Sequence, residues 1–589
     1  MANMNTDQQL LAHLEKIYGE MRAPELLEAL NALITQHIGQ RKYRQTSGAL
    51  WDEKTNILIT YGDSILYPGM EPLASLKQFL DQRLKGVFNL VHLLPFYPFS
   101  SDGGFSVTDY RAVNPDLGNW ADIESLQEHF QLMFDMVLNH ISREHLWFVQ
   151  FLHCEKPGKD YVIVVDPKEN LSLVVRPRSS PLLSRVRSPC GIHHVWATFS
   201  NDQIDLNYAN PDLLLEMIDL LLFYIRQGAK AVRLDAIAFL WKEIGTSCIH
   251  LPQTHEVVKL FRSLLERVEP EVILLTETNV PHAENISYFG VGDEANMVYQ
   301  FVLPPLLLHA IHTESTRYLT PWALGLQTEQ LPPGCTCLNF TASHDGVGLR
   351  PLEGIVPDEE VDQLLDTMRQ RGAFVSLRST TEGRDRPYEL NISYFDAFRA
   401  AGEDSDPWHI ARFLLSQTLP LSLRGVPAVY INAITAAPND ILGVERSSIT
   451  RNINRRKWDG LELDKLIDSP LSETGQVFSE YVRRLQIRRG IKAFHPDAPQ
   501  RILALSDDLF GLQRSSLDGK QHILALHNLT SQTKSLDLVA LTGLTGNFTD
   551  LLHPEPADIE QGMLQLRPFK TVWLLLPETD NRPMHNPGH

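Results

Sequence analysis

The sequence predicts an α/β protein whose largest part is a closed (β/α)8 barrel. Short apolar runs alternate with amphipathic helical segments along most of the chain, which is the pattern of parallel strands covered by helices. Eight such runs can be counted, and eight strands close this kind of barrel. Polar residues follow several of the runs, as they do at the active edge of a barrel. A doubly wound open sheet is the alternative fold.

The elements follow one another in a regular order. Leucines at helical spacing within residues 1–50 predict an N-terminal helical extension. Two polar stretches, 141–205 and 346–407, interrupt the alternation, and we interpret them as insertions after the third and the seventh strand. The barrel with its insertions accordingly spans residues 51–498. The eight predicted strands are the runs that contain Ile59, Val91, Met133, Val232, Leu274, Val298, Asn339 and Val429.

After the barrel, the pattern changes to short apolar strands in direct succession, among them HILALHNL, KSLDLVAL and TVWLLLP. This pattern predicts an antiparallel β domain at residues 499–577. Residues 578–589 form a short tail.

Composition limits the class of protein and its partners. The chain has 589 residues, is 43% hydrophobic and has a formal net charge of -19 without a long basic run. It is therefore expected to fold, and neither nucleic acid nor an anionic membrane is expected as a partner. No signal peptide or membrane helix is evident, which predicts a cytoplasmic protein. Its five cysteines lack CxxC spacing and favour reduced thiols over a disulfide framework. A homo-oligomer is compatible with the sequence.

An arginine and an aspartate stand in the strand AVRLDAIAF, where a buried strand would favour apolar residues. Arg233 and Asp235 are two residues apart and therefore face the same side of the strand. A buried carboxylate needs a partner, and the guanidinium can hold it ionised. A structural ion pair is the alternative to a functional one.

Other predicted strands also end in polar residues. Glu277 closes one strand, His344 and Asp345 close another, and Asn139 and His140 close a third. In a barrel these ends meet around one pocket. Two or three carboxylates in one pocket suit glycosidic bond chemistry. Asp235, beside its arginine, is the predicted nucleophile, and burial of Glu277 would raise its pKa toward that of a usable acid.

Four motifs in order, DMVLNH, AVRLDAIAF, ILLTETN and FTASHD, resemble those of glycoside hydrolase family 13, the α-amylase family. The resemblance implies Asp235 as nucleophile, Glu277 as general acid/base and Asp345 as the carboxylate that stabilises the transition state. It also implies contacts to the glucosyl unit from His140, Arg233 and His344.

Further segments, including SSDGGFSVTDY, TFSNDQIDLN and TRNINRRKW, resemble the sucrose phosphorylase subfamily. This finer resemblance implies that the bound glucose is contacted by Asp102, Phe105, Phe199, Gln203 and Arg451. Without the resemblance, the two phenylalanines would read equally well as core residues and the arginine as a surface cation.

A phosphorylase must admit a phosphate dianion beside carboxylates, which requires fixed positive charge. The first insertion offers Arg176, Arg178, Arg185 and Arg187. The RPR stretch resembles one that binds phosphate in sucrose phosphorylases, which implies Arg178. The alternative is that these arginines are solvent-exposed residues of a loop and bind no ligand.

The loops of this chain most resemble those of the branch of enzymes that acts on glucosylglycerol or glucosylglycerate. Phe239 stands where sucrose phosphorylases have a tyrosine, and the N-terminal extension is longer. The expected reaction is the reversible, retaining conversion of 2-O-α-glucosylglycerol or glucosylglycerate with phosphate into α-D-glucose 1-phosphate and the free alcohol. Alternatives are a sucrose or sucrose 6'-phosphate phosphorylase, a hydrolase or transglucosidase, and a noncatalytic binding subunit.

No metal and no cofactor are expected. Many amylases bind calcium through the asparagine equivalent to Asn139 and acidic residues of the first insertion. In this chain that insertion is rich in Arg and Pro, and an oxygen cage with enough carboxylates is not evident.

Overall fold

The computed structural model describes residues 6–38, 48–379, 385–400, 402, 406–553 and 559–577. Parts of the predicted N-terminal extension and of the second insertion, and the whole predicted tail at 578–589, lie outside these residues.

Eight parallel strands form a closed barrel, each paired with its neighbours and the last paired with the first. Almost every residue in them is buried, as expected for strands covered by helices on one face and packed side chains on the other. These are the eight strands that the sequence predicted, so the closed barrel is confirmed and the open sheet is excluded. The strands are β1 (Ile57–Thr60), β2 (Leu90–Leu93), β3 (Gln131–Val137), β4 (Ala229–Asp235), β5 (Ile273–Thr276), β6 (Met297–Tyr299), β7 (Thr336–Asn339) and β8 (Val426–Tyr430).

Helices surround the barrel and connect its strands. Several begin at a proline, which lacks the N–H that would be unsatisfied at this position, as at Pro211 and Pro252. The α-helices are Thr6–Tyr18, Ala23–Ile38, Pro72–Phe79, Trp120–Leu126, Leu146–His153, Gly158–Tyr161, Pro211–Arg226, Pro252–Val268, His282–Ile286, Leu303–His312, Leu319–Thr328, Asp358–Arg369, His409–Ser422, Ile431–Ile434, Ile441–Ser447, Gly460–Ile467, Glu473–Arg489 and Leu538–Thr542. In the described residues, no helix combines the length and the apolarity that crossing a bilayer requires.

The two N-terminal helices pack against the outer helices that flank β4. His13 and Lys16 contact the carboxylate of Glu256, and His37 contacts Asp219 at 2.6 Å. The extension is therefore joined to the barrel by polar contacts as well as by its buried leucines.

The first insertion contains two small antiparallel sheets. Strand His140–Ser142 pairs with Gln203–Asp205, and Leu183–Ser188 forms a hairpin with Gly191–Trp196. A disulfide joins Cys154 to Cys190, whereas the number and spacing of the cysteines favoured reduced thiols over a disulfide framework; Cys248, Cys335 and Cys337 are free thiols. The two cysteines are 36 positions apart, and only the packing of the hairpin turn against a helix end brings them together.

The second insertion supplies a three-stranded sheet and a helix. Its strands are Val347–Gly348, Phe374–Ser379 and Asp385–Asn391, with the last in the centre. The central strand passes the mouth of the barrel and carries Tyr388 and Glu389 to it.

The C-terminal region is built from two antiparallel sheets. One contains Gln500–Ile502, Leu509–Ser515, His522–Asn528, Thr571–Leu575 and Thr549–Asp550, and the other contains Lys534–Asp537, Met563–Leu566 and Ile559–Glu560. The run KSLDLVAL is a strand only in its first half. Asp537 then caps a helix by accepting a hydrogen bond from the N–H of Ala540.

Candidate active site

A pocket opens at the carboxyl ends of the barrel strands and encloses about 780 Å³ of space, counted out to its open mouth. Every predicted site residue except Arg233 lines it. The predicted residues in the lining are Asp102, Phe105, His140, Arg178, Phe199, Gln203, Asp235, Glu277, His344, Asp345 and Arg451.

Asp235 and Glu277 come from neighbouring strands. Asp235 is the last residue of β4, and Glu277 directly follows β5. Between them, Ala236 adopts a left-handed conformation (φ 50°), and its N–H donates a 3.0 Å hydrogen bond to Oε2 of Glu277. The backbone after β4 thus orients the side chain of Glu277.

Arg233 is buried and is not part of the pocket lining, so its contact with the sugar stays a prediction. It is 2% exposed, and its Nη1 donates to Oδ1 of Asp235 at 2.9 Å and also to Asp135. Burial by itself would raise the pKa of Asp135, but Arg233 and His92 lower it to about 2. The charge of Arg233 is therefore shared between two carboxylates.

Because Arg233 is shared, it lowers the pKa of Asp235 less than the sequence argument assumed. Burial raises the pKa of Asp235 well above its ordinary value, and Arg233 only partly opposes the rise. Burial likewise raises the pKa of Glu277. The sequence argument that one arginine holds Asp235 ionised was incomplete, because Asp135 could not be seen to compete for that arginine. Two adjacent buried carboxyls resist ionising together, so the pair retains a proton more readily than isolated carboxyls would.

Asp345 has the opposite environment. Its Oδ1 lies 2.7 Å from Nη1 of Arg451, and Nη2 of Arg455 lies 3.9 Å from the same oxygen. Burial alone would raise the pKa of Asp345, but Arg451, His344 and Arg455 lower it well below its usual range. Asp345 is therefore a fixed negative charge in the pocket.

Two histidines in the lining are held neutral. Burial lowers the pKa of both His140 and His344. His344 stacks on Phe105 at a centroid distance of 4.8 Å, and Nε2 of His140 contacts the carbonyl oxygen of Phe105 at 2.9 Å. These contacts fix both rings beside the phenylalanine.

The loop after β2 brings Asp102 into the pocket through a tight turn. Asp102 and Gly103 both have positive φ, and Nε2 of Gln203 donates to Oδ2 of Asp102 at 3.3 Å. A Cβ on Gly104, whose φ is +106°, would lie 2.7 Å from the carbonyl oxygen of Pro95. Glycine is therefore required there.

Arg178 is the arginine of the first insertion that reaches the pocket. Arg185 and Arg187 are exposed on the hairpin, and Arg176 donates to the carbonyl of Ser180. The guanidinium of Arg178 lies over the ring of Tyr388 at 5.1 Å.

The sequence analysis missed Glu389, which is 1% exposed and lines the pocket. Its two oxygens accept from Nε and Nη2 of Arg451 at 2.9 and 2.6 Å. Burial would raise the pKa of Glu389, but Arg451 lowers it below its ordinary value. The motif PYEL lies within a polar insertion, and no periodicity marked it as a strand that borders the barrel.

Lys242 binds the oxygen atoms around Asn139, the residue whose equivalent binds calcium in many amylases. Nζ of Lys242 lies 2.7 Å from Oδ2 of Asp205 and also donates to Oδ1 of Asn139 and the carbonyl of Phe239. An ammonium group thus already neutralises these oxygens, which do not fit a further cation. Across the described ranges, His, Cys, Asp and Glu side chains form no group of three or more suited to a metal ion.

Comparisons with known proteins identify the family of this chain. Residues 84–334 match the family model "Alpha amylase, catalytic domain". The chain is 45% identical to a glucosylglycerate phosphorylase of Allomeiothermus silvanus over 93% of this chain and 98% of that protein. It is 28% identical to a sucrose phosphorylase of Agrobacterium vitis over 70% and 84%.

The crystal structure of sucrose 6F-phosphate phosphorylase from Thermoanaerobacter thermosaccharolyticum has the same fold, with a TM-score of 0.69, 24% identity and coverage of 81% of this chain and 94% of that one. The chain therefore belongs to glycoside hydrolase family 13, the α-amylase family, and within it to the branch that contains the glucosylglycerate phosphorylases.

Proposed function

We propose that this enzyme is a retaining phosphorylase that interconverts glucosylglycerate plus phosphate with α-D-glucose 1-phosphate plus glycerate. The observation that carries the proposal is the meeting of Asp235, Glu277 and Asp345 in one pocket with the guanidinium of Arg178. The carboxylates suit glycosyl transfer, and the arginine suits an anionic acceptor.

In the first half-reaction, Asp235 attacks the anomeric carbon while Glu277 gives its proton to the departing glycerate oxygen. The bond from carbon to glycerate breaks, and a β-glucosyl ester of Asp235 forms. The family resemblance implies Asp235 as nucleophile and Glu277 as acid, and Asp235 is also the carboxyl of the two that accepts a hydrogen bond from Arg233, which partly opposes the effect of burial on its pKa. Asp345, which stays ionised beside Arg451, stabilises the positive charge that develops on the sugar.

In the second half-reaction, an oxygen of hydrogen phosphate attacks the same carbon from the face that glycerate left. The ester bond to Asp235 breaks, and Glu277 accepts the proton of the attacking oxygen. Two inversions retain the α configuration in glucose 1-phosphate.

Glycerate and phosphate are both small oxyanions that enter the same region one after the other. Among the described residues, the guanidinium of Arg178 donates one hydrogen bond, which is a long one of 3.4 Å to the carbonyl of Pro177. The same cation can therefore serve the carboxylate in one half-reaction and phosphate in the other. This reasoning favours glycerate over the neutral acceptors glycerol and fructose.

The first experiment separates phosphorolysis from hydrolysis. Glucosylglycerate is incubated with and without phosphate, and glucose 1-phosphate and free glucose are both measured. We expect glucose 1-phosphate to dominate when phosphate is present. Equal rates of glucose release in both conditions would identify a hydrolase and refute the proposal.

A second experiment identifies the acceptor. Glucose 1-phosphate is the donor, release of phosphate is followed, and glycerate, glycerol, fructose and fructose 6-phosphate are compared at equal concentrations. We expect the highest kcat/KM with glycerate. A preference for fructose or its phosphate would favour the sucrose-type alternatives.

We also propose a cytoplasmic location, because the reaction uses inorganic phosphate and yields a phosphorylated sugar, both of which cells keep in that compartment. The Cys154–Cys190 disulfide weighs against this proposal, since such bonds are uncommon in reducing compartments. Fractionation of the native host with detection of the protein tests it.

A further inference from the structure

We infer that Glu389 is a positioning residue that competes with the anionic substrates for Arg178 and so sets their affinity. The inference rests on the proposed function and goes beyond it, because it assigns a role to a residue outside the catalytic carboxylates. In this view the second insertion supplies an internal counter-ion that substrates must replace.

The position of Glu389 makes this competition direct. Its Oε2 accepts from Nη2 of Arg451 at 2.6 Å and lies 3.9 Å from Nη1 of Arg178. Its Oε1 accepts from Nε of Arg451 and from the N–H of Gly346 at 3.1 Å. One buried carboxylate thus stands between two guanidinium groups of the pocket.

The two arginines are held very differently. Arg451 has two direct hydrogen bonds to Glu389 and a 2.7 Å contact with Asp345. Within the part of the chain that the structure describes, Arg178 has a 3.9 Å contact to Glu389, the weak hydrogen bond to Pro177 and the face of Tyr388. Arg178 is therefore the guanidinium that can turn toward an incoming anion without breaking a strong bond.

The charges of the pocket explain why such a turn has a cost. Asp102, Asp345 and Glu389 add negative charge to that of the catalytic pair, whereas the lining contains the cations Arg178 and Arg451. A phosphate dianion must enter this acidic surrounding and draw Arg178 away from Glu389. The attraction between unit charges at such separations is large enough to affect binding at the dielectric constants typical of partly buried sites.

The same arrangement helps an anionic product to leave. When glucose 1-phosphate or glycerate dissociates, Arg178 regains a counter-ion instead of remaining an unpaired charge. Glu389 is thus expected to weaken the binding of phosphate and glycerate and to leave the binding of neutral acceptors almost unchanged.

The test compares Glu389→Gln with Glu353→Gln. Glutamine retains an oxygen for Arg451 but removes the charge near Arg178. Glu353 is an exposed carboxylate of the same insertion, paired with Arg378 at 2.6 Å, so its substitution removes one negative charge away from the pocket lining. We expect Glu389→Gln to lower the KM for phosphate and for glycerate by about tenfold, with the KM for glycerol changed less than about twofold. Glu353→Gln should have no such effect.

The double variant Arg178→Ala/Glu389→Gln shows whether the effect passes through Arg178. Without Arg178, the substitution at position 389 should no longer lower the KM for phosphate. An unchanged or raised phosphate KM in Glu389→Gln, or an equal decrease in both backgrounds, would overturn the inference.

A second substitution at the same position tests the inference in case the Glu389→Gln variant does not fold. Glu389→Asp keeps a carboxylate for Arg451 but withdraws it from Arg178, and we expect a smaller decrease in phosphate KM. No decrease in this variant would also count against the role. If the unsubstituted enzyme forms no glucose 1-phosphate, the proposed function itself is refuted. If the unsubstituted enzyme is an active phosphorylase but the variants do not behave as described, only the role of Glu389 is refuted.

Discussion

At the scale of single residues, the buried carboxyls of the site divide into two classes by their partners. The guanidinium groups nearby lower the pKa of Asp135 and Asp345 against the effect of burial. Burial dominates at Asp235 and Glu277 and raises their pKa values. Two adjacent buried carboxyls with raised pKa values favour a state in which one holds a proton and the other is ionised, and such a pair can supply both a proton donor and a nucleophile.

Asp235→Asn should abolish turnover and stabilise the fold at neutral pH. Loss of the nucleophile should reduce kcat by at least about 1000-fold. Because the folded-state pKa of Asp235 is raised, its ionisation opposes folding above the unfolded pKa of about 4, and asparagine removes this penalty. Formation of glucose 1-phosphate and urea unfolding measured across pH check both effects.

The gain in unfolding free energy should disappear below about pH 4, where the aspartate is protonated in both states. A gain that persists unchanged in acid would show that the pKa of Asp235 is not its cause. Substantial phosphorolysis by the variant would remove Asp235 from the role of nucleophile.

Arg178→Ala should raise the KM for phosphate by about tenfold or more, with a smaller effect on kcat, because the pocket loses a cation that contacts the anion. Initial rates at several phosphate concentrations measure this. Arg185→Ala is the matched control, since Arg185 belongs to the same insertion but is exposed on the hairpin. Similar phosphate KM values in the two variants would assign the phosphate contact to another residue.

At the scale of elements, the loop after β4 is joined both to the first insertion and to the end of β3. Lys242 achieves this by contacting Asp205, Asn139 and the carbonyl of Phe239 at once. Asp205 in turn accepts from the N–H and hydroxyl of Thr198, close to the pocket residue Phe199. One ammonium group therefore links the two sides of the active-site mouth.

Lys242→Ala should lower the free energy of unfolding by about 3–5 kcal/mol, because it leaves the carboxylate of Asp205 buried without its charged partner. Urea denaturation followed by tryptophan fluorescence measures the loss. Lys156→Ala is the control: Lys156 is exposed and pairs with Asp160 on the surface, so its effect should stay below about 1 kcal/mol. Equal effects of the two substitutions would contradict the linking role of Lys242.

At the scale of the whole molecule, the C-terminal sheets contact the barrel through hydrogen bonds of buried side chains as well as through apolar packing. Arg514 donates to the carbonyls of Ser422, His495 and Ala498, at 2.9, 2.6 and 3.2 Å. Nε1 of Trp573 donates to the hydroxyl of Ser422 at 2.9 Å. Arg514 and Trp573 thus both contact Ser422, which lies in the segment that leads into β8, so the C-terminal region supports a barrel strand.

Arg514→Ala should destabilise the protein by about 3–5 kcal/mol, because three backbone carbonyls, two of them in buried contacts, lose their donor. Thermal unfolding with and without the substitution measures this. Arg501 lies on the neighbouring strand, is exposed and contacts Gln513, so Arg501→Ala should have a much smaller effect. A loss as large at Arg501 as at Arg514 would mean that the sheet itself, rather than its attachment to the barrel, is weakened.

The part of the fold that could be predicted from sequence is the part encoded by short-range patterns. Each barrel strand is a short apolar run, several of the runs are followed by polar residues, and all eight strands were identified from the alternation of such runs with helical segments. The residues predicted from motifs also line one pocket, apart from Arg233. Glu389 and Lys242 were missed as partners because their importance lies in contacts with residues far along the chain: Glu389 with Arg451, and Lys242 with Asn139.

Hydrophobic periodicity and strand polarity are local properties, so the eight strands and the acidic groups at their ends could be predicted from the sequence. The pairing of β8 with β1 in the structure then showed that the sheet is a closed barrel and not an open one. The tertiary structure alone decided how the charges are shared: Arg233 between Asp135 and Asp235, and Arg451 between Asp345 and Glu389. The disulfide between Cys154 and Cys190 likewise follows from the tertiary structure. The reason is physical: the ionisation of a buried group depends on every charge and dipole within a few ångströms, and folding brings those neighbours from distant parts of the chain.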